Sequence, residues 1–137
     1  MAHSFGGLTL SMALEAMEHN ETFKVVLIAP LTELKTAAES FFHLLKLNEQ
    51  IQKEFDTQIT DMGGYPLEWY SIRRSIKNIR SQVLWVHDED DDQTPLHDAL
   101  KVKKDNPANV KFLITKGLGH SGIYTDKKLV QEIIDFL

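Results

Sequence analysis

Three short stretches carry side chains that could do chemistry. The first, Ala2-His3-Ser4-Phe5-Gly6-Gly7, sets a serine between a small residue two before it and a glycine two after it, and runs straight into a helical pattern. A serine on such a tight strand-to-helix turn projects at a helix N-terminus. There the free N–H groups and the helix dipole favour a developing oxyanion, so the group reads as a nucleophile. The turn is strained, and bulk at positions 2 or 6 is expected to collide with the neighbouring strand and helix. The plainer alternative makes Ser4 only a helix cap. The second stretch, His87-Asp88-Glu89-Asp90-Asp91-Asp92-Gln93-Thr94-Pro95, puts a run of acids beyond a strand end. Ligands and catalytic groups gather at such ends in open α/β sheets, although a solvated acidic loop has the same composition. Asp88, Asp90 and Asp92 imitate the start of a calcium-binding loop, but Gln93 stands where that loop needs glycine and Ala99 where it needs glutamate, which argues against it. The third stretch, Lys116-Gly117-Leu118-Gly119-His120-Ser121-Gly122, offers a histidine on a glycine-rich turn after a strand, a base held near a cleft or a plain surface histidine. Its glycines spell G-x-G-x-x-G. A dinucleotide site would need a further strand and an acid about twenty residues on, and no further strand follows here.

The elements that must position these groups are legible in the apolar pattern. Strands are expected from Lys24 to Pro30, over 82–87 and over 110–115. The runs Val25-Val26-Leu27-Ile28 and Val83-Leu84-Trp85-Val86 do not alternate with polar residues, as in strands of a parallel sheet buried on both faces. Helical spacing covers 6–18, 33–47 and 50–59. Pro66 is expected to open a helix running towards Ile79, Pro95 one through Lys103, and Asp126 to cap a last helix that buries Leu129, Val130, Ile133 and Ile134. Strand and helix alternate, which implies an α/β fold with parallel strands. The stretch 33–79 is too long for a simple crossover and reads as an inserted helical lid.

Composition bounds the function. A chain of 137 residues suits one domain, and 42% hydrophobic with 26% charged residues is ordinary for a globular protein. The net charge of −5 argues against nucleic acid or an anionic membrane as partner. With no cysteine, disulfides and thiolate zinc sites are excluded. No apolar run is long enough to span a bilayer and no signal peptide precedes the first motif, so a cytoplasmic protein is expected.

Taken together, the three motifs run in the order Ser, Asp, His, each at a strand end or a strand-to-helix turn. In this the chain resembles the α/β-hydrolase superfamily. Residues 2–7 resemble its G-H-S-x-G-G turn with Ala2 for the first glycine, 83–95 its strand-plus-acid segment H-G-x-x-D-x-x-x-P, and Gly119-His120 its histidine loop. The resemblance implies a triad of Ser4, Asp91 and His120, with the Phe5 N–H as oxyanion donor. His87 and Pro95 set the register that selects Asp91, with Asp90 and Asp92 as its fallbacks. Asp88 departs from the glycine usual there. His3 and His87 are read as structural, while His19, His43 and His97 have no matching partners. The implied reaction is hydrolysis of a small acyl ester, with Phe41, Phe42, Trp69 or Tyr70 as possible pocket walls and no cofactor or metal.

The resemblance begins at the nucleophile turn. The chain is therefore expected to be a single truncated domain over 1–137, with a three-stranded parallel sheet equivalent to the family's strands six, seven and eight. The first five strands, and the loop that supplies a second oxyanion donor, would be missing. That implies weak or absent activity. It leaves open a non-catalytic half-domain that only self-associates, or one that pairs with a separate N-terminal chain. The edge from Lys24 to Pro30 would lack its neighbour, and Met12, Leu14 and Phe23 would face water. A homo-oligomer through that edge or the first helix is the expected assembly.

Overall fold

The computed structural model describes residues 1–137. Four parallel strands form one sheet in the order β1-β2-β3-β4: Ala2–His3, Lys24–Ile28, Gln82–Asp88 and Val110–Thr115. The sheet thus has four strands where three were expected. Ala2 and His3 pair with Leu27 and Ile28, and the Ser4 N–H extends the ladder to the Ile28 carbonyl at 3.0 Å. Two residues are too few to show a period of two, so this strand leaves no pattern in the sequence.

Successive side chains of a strand point to opposite faces, and the two unbroken apolar runs fill both. Val25, Leu27, Val83 and Trp85 face a core completed by Leu8, Leu31, Ile72, Ile76, Ile79, Ala99 and Val102. These come from α1 (Phe5–Ala16), α4 (Ile72–Ser75), α5 (Leu96–Asp105) and the turns around them. Val26, Ile28, Leu84 and Val86 face the other way, onto Ile123, Leu129 and Ile133. The last two lie on α6 (Lys127–Phe136), where the Asp126 side chain accepts from the Leu129 N–H as a helix cap. Val130 and Ile134 are less covered than expected: Val130 is half-buried and Ile134 is exposed.

The crossover from β2 to β3 contains α2 (Leu34–Leu44) and α3 (Glu49–Gly63), which close on a small cluster of their own around Ala38, Phe42 and Leu67. The stretch 33–79 is not one body, however. Ile72, Ile76 and Ile79 belong to the main core beneath the sheet. Nor does one helix run from Pro66 to Ile79. A 3-10 turn at Leu67–Trp69, the four-residue α4 and a second 3-10 turn at Ile76–Asn78 take its place. The break falls at Ser71, whose extended backbone bridges to Glu33. The Ser71 hydroxyl donates to Glu33 at 3.0 Å and accepts from the Arg74 N–H at 3.1 Å. A side chain that bonds the backbone three residues on ends one helix and starts another. Arg74 ties this segment to α1 through the Glu15 carboxylate at 2.7 Å, and its guanidinium lies 3.9 Å over the Trp69 ring.

The outer edge of β2 is covered at Leu27 and Ile28 only, so Lys24, Val25 and Val26 pair on one side alone. Beside them an open groove is lined by Met1, Leu10, Leu14, Phe23, Val25 and Leu137. Phe23 is 49% exposed, as expected, whereas Met12 and Leu14 pack against the core. Unpaired strand groups next to apolar surface favour association. Light scattering at micromolar concentration is expected to give a mass above that of one chain, with Phe23→Glu shifting the protein towards monomer. A monomeric wild type would show that the strip is tolerated in water.

Candidate active site

The turn at Ser4 is held by backbone alone. Besides the bond from its N–H to Ile28, the Ser4 carbonyl accepts from Gly7 at 2.9 Å and from Leu31 at 3.0 Å. These three bonds maintain φ 54° and ψ −129°, a conformation that costs a non-glycine residue about 1–3 kcal/mol. The Ser4 side chain makes no capping bond to the helix. A cap role is therefore ruled out, and a hydroxyl is left at the C-terminal end of the sheet, beside the first N–H groups of α1. Phe5 is the first residue of that helix, where N–H groups have no intrahelical acceptor.

The steric demand falls one residue later than expected. A methyl at Gly6 would meet the Ala2 side chain at 3.9 Å, an ordinary contact. A methyl at Gly7 would lie 2.5 Å from Pro30 Cβ, where the segment leaving β2 crosses the first turn of α1.

The acidic loop after β3 is no uniform surface. Glu89, Asp90 and Asp92 are exposed, while Asp88 and Asp91 are buried. Asp91 Oδ1 accepts the Gln93 and Thr94 N–H groups, both at 2.9 Å, and Oδ2 lies 2.8 Å from the Thr94 hydroxyl. His120 Nδ1 sits 2.9 Å from Asp91 Oδ2. Burial pushes the Asp91 carboxyl up, but the Thr94 N–H, His120, the Gln93 N–H and the Thr94 hydroxyl outweigh it and hold the group below its ordinary value. Of the three neighbouring acids it is Asp91, and neither Asp90 nor Asp92, that meets the histidine. A carboxylate only accepts, so the proton rests on Nδ1 and the lone pair on Nε2. His120 Nε2 makes no hydrogen bond to Ser4 Oγ. The structure joins Asp91 to His120, and it brings the residue before Ser4 against the same histidine. His3 Nε2 donates to the His120 carbonyl at 3.1 Å, and the two rings are 4.5 Å apart.

Three further residues shape the site without having been singled out as site residues. Thr94 reaches Asp91, the Ala29 carbonyl at 3.1 Å and His120 Nδ1 at 3.3 Å, linking the ends of β2 and β3 to the histidine. His87, fully buried, donates from Nε2 to the Thr94 carbonyl at 2.7 Å and takes the Trp85 indole N–H on Nδ1 at 3.4 Å. Both nitrogens are thus committed to the neutral ring, and burial holds its pKa below the ordinary value. Asp88 stood out in the sequence as a departure from glycine and as part of the rejected calcium-loop pattern, not as a site residue. Its carboxylate takes four donors. Of the possible pocket walls, Phe42 lies in the α2–α3 cluster and Trp69 is stacked between Tyr65 at 3.9 Å and Arg74. Tyr70 lies edge-on to Trp69 and meets α3 at Gly63, while Phe41 is exposed. No cluster of side chains suited to a metal ion is present.

No family model matches the sequence, and no curated protein does. Solved structures do match in shape. An esterase of Pyrococcus furiosus superposes with TM-score 0.65 at 16% identity, over 98% of this chain and 50% of its own. Alpha/beta hydrolase domain-containing protein 10 from mouse gives 0.57 at 18% identity, over 97% of this chain and 57% of its own. A lipase-esterase related protein from Clostridium acetobutylicum gives 0.60 at 17% identity, over 99% and 64%. The chain thus has part of the α/β-hydrolase fold and spans half the length of the Pyrococcus furiosus esterase. No helix is long and apolar enough to cross a membrane.

Two outcomes follow from this geometry. Gly7→Ala should cost about 1–3 kcal/mol by overpacking. Gly6→Ala should be neutral or gain up to about 1 kcal/mol from helix propensity. Urea midpoints distinguish the two, and equal costs would contradict the contact with Pro30. The second outcome concerns pH. His87 is depressed in the fold, so its contribution is complete above the unfolded value of about 6.5 and is lost as pH falls below it. Asp88 and Asp91 are also depressed, and theirs is lost below about 3.9. Urea midpoints should fall in two stages, and His87→Gln should remove the upper one. A midpoint level from pH 8 to pH 5 in the wild type would refute the assignment.

Proposed function

We propose that the chain is a serine hydrolase acting on small carboxylic esters or related acyl compounds. Ser4 is the nucleophile, His120 the general base, Asp91 the group that orients and stabilises the imidazolium, and the Phe5 N–H an oxyanion donor. The observation that carries this reading is the buried Asp91–His120 pair, which fixes the tautomer with Nε2 as the free base. Ser4 Oγ adds to the ester carbonyl as Nε2 takes its proton. The tetrahedral adduct collapses, the alcohol leaves with that proton, and an acyl-serine remains. Water, deprotonated by the same nitrogen, then releases the acid and restores the serine. Catalytic hydrogen bonds are often long before substrate binds, so the missing Ser4–His120 bond is compatible with this role. The segment from α2 to α4 would cover the bound acyl group, with exposed Phe41 of α2 as its apolar contact.

A second reading has its own support. The chain spans half of the Pyrococcus furiosus esterase, and the edge of β2 is open at Lys24 to Val26. A non-catalytic half-domain that associates through that edge, with itself or with a separate chain, fits both observations.

In the catalytic reading the Phe5 N–H is the one oxyanion donor assigned, and an oxyanion hole with one donor fewer loses on the order of 10²–10³ in rate. Short-chain aryl esters should therefore be turned over slowly, and Ser4→Ala should abolish both turnover and labelling by a fluorophosphonate. Turnover as fast as a complete esterase would overturn the expectation of weak activity. Absence of any Ser4-dependent turnover or labelling would favour the half-domain.

A further inference from the structure

We propose that Asp88 is a positioning residue for His120: its buried carboxylate holds the peptide backbone of the turn that carries the histidine. Asp88 ends β3 and is fully buried. Oδ2 accepts from the Thr115 hydroxyl at 2.7 Å and from the Leu118 N–H at 3.1 Å. Oδ1 accepts from the Gly119 N–H at 2.9 Å and from the Asp90 N–H at 3.0 Å. Thr115 is its register partner on β4, so this carboxylate is where the strand ladder hands over to the histidine loop.

The loop is built to meet it. Gly117 and Gly119 have φ +85° and +60°, which glycine adopts without the penalty of a side chain. These angles aim successive N–H groups inward. The Gly117 N–H donates to the neighbouring Asp90 carboxylate at 3.0 Å, and the Leu118 and Gly119 N–H groups donate to Asp88. Three peptides in a row are thus fixed by two acids of the β3 loop, and the next residue is His120. Asp91 of the same loop then takes the His120 ring. The backbone leading into the histidine and the histidine ring are held by carboxylates three residues apart, so their separation is set within one short stretch of chain. A glycine at position 88, the residue usual in the resembling family, could make none of these four bonds.

Only the catalytic consequence rests on the hydrolase reading; the effect on the His120 ring does not. The full chain, with imidazole nitrogens labelled, gives both readouts. The Nδ1–H proton of His120, assigned by its absence in His120→Gln, is followed in wild type, Asp88→Asn, Thr115→Val and Asp92→Asn. Asp88→Asn keeps the shape but turns an acceptor into a donor facing N–H groups. Its His120 proton should exchange about tenfold faster than in the wild type. Thr115→Val removes one of the four bonds and should move the same signal less, while Asp92→Asn leaves it in place. Where wild type shows Ser4-dependent turnover, Asp88→Asn should lower kcat about 10- to 100-fold with KM nearly unchanged. A folded Asp88→Asn with an unaltered His120 proton overturns the proposal, as does unaltered kcat in an active chain. If Asp88→Asn does not fold, an unmoved signal in Thr115→Val overturns it. An inactive wild type whose His120 proton still responds to Asp88→Asn rejects the hydrolase reading alone.

Discussion

Two carboxylates lie buried, three residues apart, at the end of β3, and a buried charge without partners is too costly to keep. Much of the C-terminal end of the sheet can be understood as the supply of donors to them. Asp91 draws in Gln93, Thr94 and His120, and Asp88 draws in Thr115, Leu118, Gly119 and Asp90. The first set folds the β3 loop on itself. The second brings the loop after β4 down onto it. Each carboxyl is held below its ordinary value in spite of its burial, which is the sign that the donors prevail. The histidine is placed as a consequence, with one nitrogen committed and the other available.

The opposite wall of the site rests on a different currency. Ser4 is held by three backbone bonds and by the close approach of Gly7 to Pro30. Both depend on where β2 ends. Ala29 has φ 41°, its N–H bonds to Val86, and its carbonyl lies against the Thr94 hydroxyl. The turn after β2 therefore contacts the serine turn on one side and the acid loop on the other. Strain in these turns is tolerated because Val26, Ile28, Leu84 and Val86 just behind them are almost wholly buried and cannot shift independently.

The same economy explains the contrast between the two ends of the β2–β3 crossover. Ile72, Ile76 and Ile79 are core residues, and Arg74 fastens their segment to α1. The α2–α3 pair buries only Ala38 and Phe42, against Leu67 of the following turn, and its stretch exposes Phe41, Leu44, Leu45 and Met62. A segment with so little buried surface is the part of the fold most able to move.

The sequence by itself determined the architecture, because unbroken apolar runs such as Val25 to Ile28 can be buried on both faces only in a helix-covered parallel sheet. It also placed Ser4, the acid run and His120 at strand ends, since tight turns and glycine-rich loops leave local signatures. It did not contain β1, whose two residues are too short for a period, nor the break at Ser71, which depends on a bridge to Glu33. Residue type could not divide five adjacent acids between solvent and interior; family register selected Asp91, but nothing in the run distinguished Asp88. Only the packing of β3 against β4 and the turn after β2 decided that, because a carboxylate takes its role from the donors around it, and those that set Asp88 and Asp91 apart, from Thr115, Leu118, Gly119 and His120, lie 27 to 31 positions away in the chain.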